Sequence, residues 1–176
     1  PVKIISDGSV YTTHKMMGNG SLSEFAGISA SQLSSKYYFG SYRDDSKANT
    51  WIVVGNADTV STNVNISIGG VLRSESVTIE PGEQKTFRYP GLAAKPVEIE
   101  SSGELIYTTH KMMGNGSLSE FAGIPISQLD SKYYFGSYRD DSNANTWIVV
   151  GNADVTSTSV NVKIGGILRS ENEIIE

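Results

Sequence analysis

The two histidines, His14 and His110, each stand in the run YTTHK. A catalytic triad needs a nucleophile and a carboxylate arranged around the imidazole. Near His14 the chain offers Ser21, Ser23 and Glu24, without a nucleophile-elbow pattern. Both histidines therefore read as partly exposed strand residues, and no catalytic residue is expected. Hard oxygen ligands form a second constellation: Asp44, Asp45, Asn49 and Asp58, with copies at Asp140, Asp141, Asn145 and Asp154. If the two loops that carry each set meet at one end of the fold, calcium is the cation they suit, since it takes about six to eight such ligands. The spacing is not that of an EF-hand. The alternative is turn chemistry with a salt bridge to Arg43. Tyr37, Tyr38, Phe39, Tyr42 and Trp51 are a third group, which would stack on sugar rings if exposed in a row. In a strand, however, alternate residues face inward, so Tyr38 or its two neighbours must be buried, and core packing is the expected role. Met16-Met17 reads as packing at a strand end. GNG at 18–20 reads as a turn and not as a phosphate loop.

Composition narrows the chemistry further. The chain has 176 residues, is 38% hydrophobic and 19% charged, and carries a net charge of −5. That balance suits a globular protein and disfavours nucleic acid, which needs a basic face. There is no cysteine, so disulfides, thiolate metal sites and cysteine nucleophiles are excluded. The longest apolar runs, such as WIVV at 51–54, are too short to span a bilayer as a helix, and no membrane insertion is expected. Residue 1 is Pro, and the chain reads as a mature fragment, an excised segment or a processed chain.

Repetition decides the organisation. YTTHKMMGNGSLSEFAGI occurs at 11–28 and again, unchanged, at 107–124. At this offset of 96, residues 11–80 and 107–176 agree at 57 of 70 positions, so the two copies must share one local fold. Upstream, PVKIISDG at 1–8 resembles PVEIESSG at 96–103, at an offset of 95. The differences report environment: Ile66 becomes Val162 and Val71 becomes Ile167, while Ser67 becomes Lys163, which suits a solvated position.

The patterning within a copy is that of strands. Val64, Ile66 and Ile68 alternate with polar residues, the mark of a half-buried strand. Gly69-Gly70 suits a primed hairpin turn into a partner strand from Val71 to about Ile79. TWIVV at 50–54 is apolar on both faces and belongs inside a sheet. KYYFGSY at 36–42, VYTTHKMM at 10–17, VKIIS at 2–6 and KTFRY at 85–89 complete about seven strands per copy. GNGSLSEFAGISASQLSS at 18–35 is expected as a long connection with one or two short helical turns, because Ser21 and Glu24 fit a capping box. Its Leu22, Phe25 and Leu33 should reach the core. The expected fold class is all-β: two tandem immunoglobulin-like β-sandwiches. Domain one is expected at 1–92 and domain two at 96–176, joined by a linker at 93–95 within the proline-flanked stretch PGLAAKP.

On this division, the second copy lacks the counterpart of the last strand, 81–92. Either the chain is cut from a longer array, or a neighbouring molecule supplies the strand. Lys85, Thr86, Phe87, Arg88 and Tyr89 are the candidate donated or edge strand.

The run YYFGSYRDDSKANTWIVVGNAD, followed by an alternating strand and IGGVLR, resembles a class of bacterial extracellular repeats that pair an aromatic YF strand with a Trp-containing strand. These occur in surface-layer-like and cell-wall proteins. The resemblance implies β-sandwich modules on a cell surface and no known active site. The expected function is structural and non-enzymatic: a tandem-repeat protein of a surface layer, stalk or filament, whose partners are further copies of itself or of the same repeat. No cofactor is expected beyond the calcium considered above. The alternative is a carbohydrate-binding or adhesin module that uses duplicated sites for avidity on cell-surface glycans.

Overall fold

The computed structural model describes residues 1–18, 20–114, 116–142 and 145–176. Asn19, at the centre of the GNG turn, lies outside them. The chain divides into two compact units, Pro1–Leu129 and Asp130–Glu176. It is almost wholly β. Among the described residues the helical content is two 3-10 turns, Ala30–Gln32 and Ile126–Gln128, and no helix is long and apolar enough to cross a membrane.

Unit 1 opens with an antiparallel hairpin, β1 (Thr13–Gly18) and β2 (Ser21–Ala26). It continues with β3 (Lys36–Asp44), β4 (Asn49–Asn56), β5 (Thr62–Ile68), β6 (Val71–Ile79), β7 (Gln84–Phe87) and β8 (Leu92–Ser101). The last three strands are β9 (Ile106–Gly114), β10 (Ser117–Ala122) and β11 (Ile124–Pro125). Two antiparallel sheets result, one in the order β10-β9-β4-β7 and the other in the order β11-β3-β8-β5-β6. One hydrophobic cluster joins them: Tyr37, Phe39 and Tyr42 of β3, Ile52 and Val54 of β4, Val64, Ile66 and Ile68 of β5, Ile79 of β6, Val97 and Ile99 of β8, and Ile106 of β9.

Several local expectations hold. β3 alternates as read, with Tyr37 and Phe39 buried and Tyr38 less so. β4 lies inside its sheet, between β9 and β7. Gly69 and Gly70 take φ of +60° and +73°, the positive values a primed turn demands, and join β5 to β6, whose ladder is regular at both ends and broken by a bulge around Ile66.

The larger frame differs from the expected one. Residues 93–95, read as a linker, lie inside β8, which pairs with both β3 and β5. Pro96 is accommodated because β3 and β8 slip register between Phe39↔Val97 and Tyr42↔Lys95, and an irregular step needs no amide from it. The core therefore closes with Val97, Ile99 and Ile106, all beyond the expected boundary at residue 92. Burying three such side chains contributes about 6 kcal/mol, comparable with the whole net stability of a small domain. The expected division at 93–95 thus cuts through the middle of a packed sheet.

Two smaller corrections follow. Ser21–Ala26 is strand β2 and not a capped helical turn, and its copy Ser117–Ala122 is strand β10. The local cap signal is overridden by pairing with the preceding strand; a helical turn forms only at Ala30–Gln32, where the Ser29 amide donates to Gln32 Oε1 at 3.0 Å. Residues 2–6 form no strand.

Unit 2 contains one hairpin, β12 (Thr158–Ile164) and β13 (Ile167–Ile175), joined by Gly165-Gly166 at φ +58° and +79°. Its described residues before Thr158 form no extended strand.

Candidate functional site

The oxygen ligands read from the sequence do not converge. Asp44 ends β3 and Asp45 follows it, whereas Asp58 lies beyond the far end of β4. Eight residues of strand separate the two loops by roughly 23 Å, so the expected meeting of the loops does not occur. Each group already has other work. Arg88 donates from Nε and Nη2 to the buried carboxylate of Asp44 at 2.7 and 3.0 Å, and from Nη2 to Asn49 Oδ1 at 2.6 Å. Asp45 accepts from the Lys47 amide and from Arg43, the salt bridge foreseen as the alternative. These bonds hold its carboxyl below the usual range. Asp58 accepts from the amides of Thr59 and Leu105, which lowers its pKa likewise. In unit 2, Asp141 pairs with Arg139 at 2.7 Å, the Asp154 amide donates to Asn152, and Asp140 and Asn145 are exposed. Among the described residues no group of three or more acidic or histidine side chains is placed to hold a metal ion.

The candidate donated strand is occupied at home. Lys85, Thr86 and Phe87 pair with Val54, Val53 and Ile52, which puts β7 at the sheet edge. Arg88 binds Asp44 and lies over the Trp51 ring at 5.3 Å. The Tyr89 amide donates to Tyr42 Oη at 2.7 Å, and the Tyr89 and Ser74 hydroxyls share a bond of 2.8 Å.

The two histidines have different fates. His14 is half exposed and stands 3.8 Å from Glu120. His110 is fully buried, correcting the expectation of a partly exposed residue. Its ring packs against Phe39, Tyr42 and Phe121, with centroids at 5.1, 6.3 and 4.8 Å. Neither ring nitrogen has a hydrogen-bond partner, and burial pushes its pKa down to about 4. It stays neutral at pH 7. Burial likewise raises the Tyr37 and Tyr42 phenols to about 12. Both are structural donors: Tyr37 to the carbonyls of Gln32 and Ile106 at 2.7 and 2.9 Å, Tyr42 to the carbonyl of Thr50 at 3.1 Å. A shallow depression lined by Trp51, Val53, Thr86, Lys111 and Met113 lies on the four-stranded sheet.

The arrangement that stands out is a mismatch between copies. Tyr37 and Phe39 are 1% and 2% exposed, whereas their copies Tyr133 and Phe135 are 57% and 73% exposed. Conversely, Ile99 is fully buried while Ile4, its copy at the N-terminal end, is 62% exposed. Val2 and Val10 are exposed where Val97 and Ile106 are buried. Each exposed set corresponds to one side of the core closed in unit 1. The repeat was legible from the sequence; the register at which one sandwich draws on two copies was not, since every cut through a periodic sequence yields the same strands.

Comparison with known proteins adds little. No family model matches the chain, and no curated protein matches it. Among solved structures it is similar to the crystal structure of Thermotoga maritima 1070, at 14% identity and a TM-score of 0.44, over 52% of this chain and 94% of that one.

Proposed function

We propose that this chain is a non-enzymatic, structural tandem-repeat segment of an extracellular surface layer, stalk or filament. It is built from immunoglobulin-like sandwiches whose strands come from successive repeats. The observation that carries this reading is that β8, which runs into the second copy, and β9, which lies within it, complete the sheets begun by β3, β4 and β5 of the first. Repeats that share a core interlock, and an interlocked array resists extension better than separate beads on linkers. The likeness of the YYFGSY and NTWIVV strands to bacterial extracellular repeats supports the surface location. The side chains with shifted pKa values serve packing, turns or ion pairs, as Tyr37, Asp58 and Arg88 do, which supports a structural role. Electron microscopy of the native material tests the reading: ordered fibres or lattices are expected, and dispersed, non-associating particles overturn it.

A second reading, glycan binding, draws on the depression beside Trp51 and Lys111. Sugar-competed binding on a glycan array would favour it.

A further inference from the structure

We propose that the outer face of the four-stranded sheet binds a carboxylate-bearing sugar chain, with Trp51 stacked on a pyranose ring and Lys111 on its carboxylate. The proposal rests on the glycan-binding reading above and names the ligand class and the contacts of that same site.

Strand register builds the face. Ile52 and Val54 of β4 are fully buried in the core, so Trp51, Val53 and Gly55 point outward. Across the ladders Trp51 stands beside Lys111, Val53 between Thr109 and Thr86, and Gly55 between Tyr107 and Gln84. The depression and its surroundings therefore come from β4, β7 and β9, which pair with one another within unit 1.

Two aromatic rings bound the face. Arg88 holds the indole of Trp51, 5.3 Å from its centroid, and is not among the residues that line the depression. Tyr107 lies across β4 at Gly55, where an added Cβ would run into the ring. Glycine at this place is what lets the tyrosine lie down on the sheet. Trp51 and Gly55 are four residues apart, roughly 13 Å along the strand. Between them the floor is Val53 flanked by two threonines. Rings, a small apolar floor and hydroxyls at the margin suit the mixed C–H and O–H surface of a sugar chain.

Charge selects the kind of sugar. The carboxylates nearest the face are withdrawn from solvent. Asp44 is buried under Arg88, and the side chain of Glu120, opposite Lys111 on β10, is 11% exposed. Glu120 accepts from the Thr109 hydroxyl at 3.3 Å and stands 3.8 Å from His14. The cations stay outside: the Arg88 side chain is 42% exposed, and Lys111 lines the depression. Lys111 Nζ donates to Met16 Sδ at 3.4 Å, and a thioether is a weak acceptor. The solvent-facing charge around Trp51 is thus positive, in a chain whose net charge is −5. A uronic acid carries its carboxylate on the ring that stacks, and it would give Lys111 a charge-assisted hydrogen bond.

Isothermal titration calorimetry of the 176-residue chain with oligogalacturonate and with its methyl ester tests this. The acid should bind roughly tenfold tighter than the ester. Lys111→Gln should remove that advantage and leave the ester unchanged. Trp51→Ala should abolish binding of both. Because that variant also releases Arg88, Gly55→Ala serves beside it: it displaces the Tyr107 ring, spares the Arg88–Asp44 pair, and should weaken both ligands several-fold. Equal affinity for acid and ester, or an acid preference that survives Lys111→Gln, overturns the proposal and leaves glycan binding standing. Binding that persists unchanged in both Trp51→Ala and Gly55→Ala also overturns it. So does a failure of oligogalacturonate to bind; a glycan array that still shows sugar-competed binding then keeps the broader reading, and a blank array ends both.

Discussion

Arg88 reaches back along the chain to Asp44 and closes on its carboxylate with two hydrogen bonds, at 2.7 and 3.0 Å. The carboxylate is buried while the guanidinium remains partly in water and covers Trp51. This one contact ties the end of β7 to the end of β3. Removing the arginine leaves a buried charge without its partner, the costly way to break such a pair. Arg88→Ala should therefore lower the Tm of unit 1 by about 5 °C or more in a domain of this size. Arg88→Lys should recover only part of that loss, because a point charge cannot make the forked contact. Differential scanning calorimetry of the three proteins checks the order.

The buried neutral His110 makes stability depend on pH. Its pKa falls from 6.5 to about 4 on folding, because burial penalises the charged ring. Between those values the unfolded chain holds the proton and the folded one does not, so stability is full above pH 6.5 and is lost as pH falls toward 4. The loss amounts to about 3 kcal/mol for this shift. His110→Phe, which keeps an aromatic ring among Phe39, Tyr42 and Phe121, should flatten that slope. Urea denaturation at pH 7.5 and pH 4.5 measures it, and an unchanged slope in the variant would remove His110 as the cause.

A pair of equivalent residues tests where the sandwich begins and ends. Ile99→Ala empties a position with no solvent exposure and should cost about 3 kcal/mol. Ile4→Ala, at the same place one copy earlier, should cost under about 0.5 kcal/mol in dilute monomer. If the sandwich instead occupied residues 1–92, the order of these two costs would be reversed. Chemical denaturation of both variants decides the matter.

Local chemistry was readable in the sequence, and long-range partnership was not. The β5-Gly-Gly-β6 hairpin could be placed to the residue because its alternation and its turn lie within twenty residues of each other. The aromatic face of β3 followed from period two alone. The second half of β8, VEIES at 97–101, was readable as the copy of the strand expected at 2–6; its start at Leu92 and its pairing with β3 and β5 were not, because Pro96 interrupts it and only the register slip there makes room for it within a sheet. The acidic residues were misgrouped for a related reason. Asp44 and Asp58 are near in sequence, but β4 between them runs the length of the sheet and carries them apart. His14 and His110 have the same neighbours in sequence, YTTHKMM, and opposite burial, so no local reading could separate them.

The repeat also contains an experiment on backbone strain. Ser76 and Asn172 occupy the same position in β6 and β13 and are the non-glycine residues with positive φ among those described, at +50° and +52°. Each donates its amide to the side-chain oxygen of an asparagine across the hairpin, Asn65 or Asn161, at 2.8 Å. The left-handed region costs most residues about 1–2 kcal/mol, and asparagine less. The first copy therefore carries strain that the second has relieved by substitution. Ser76→Asn should stabilise unit 1 by about 0.5 kcal/mol, and Ser76→Val, whose branched side chain tolerates that φ poorly, should destabilise it by more than that. Thermal unfolding of the two variants gives the sign directly. A stabilising valine would mean that the bulge relaxes to an ordinary ladder, with Asn65 no longer capping it.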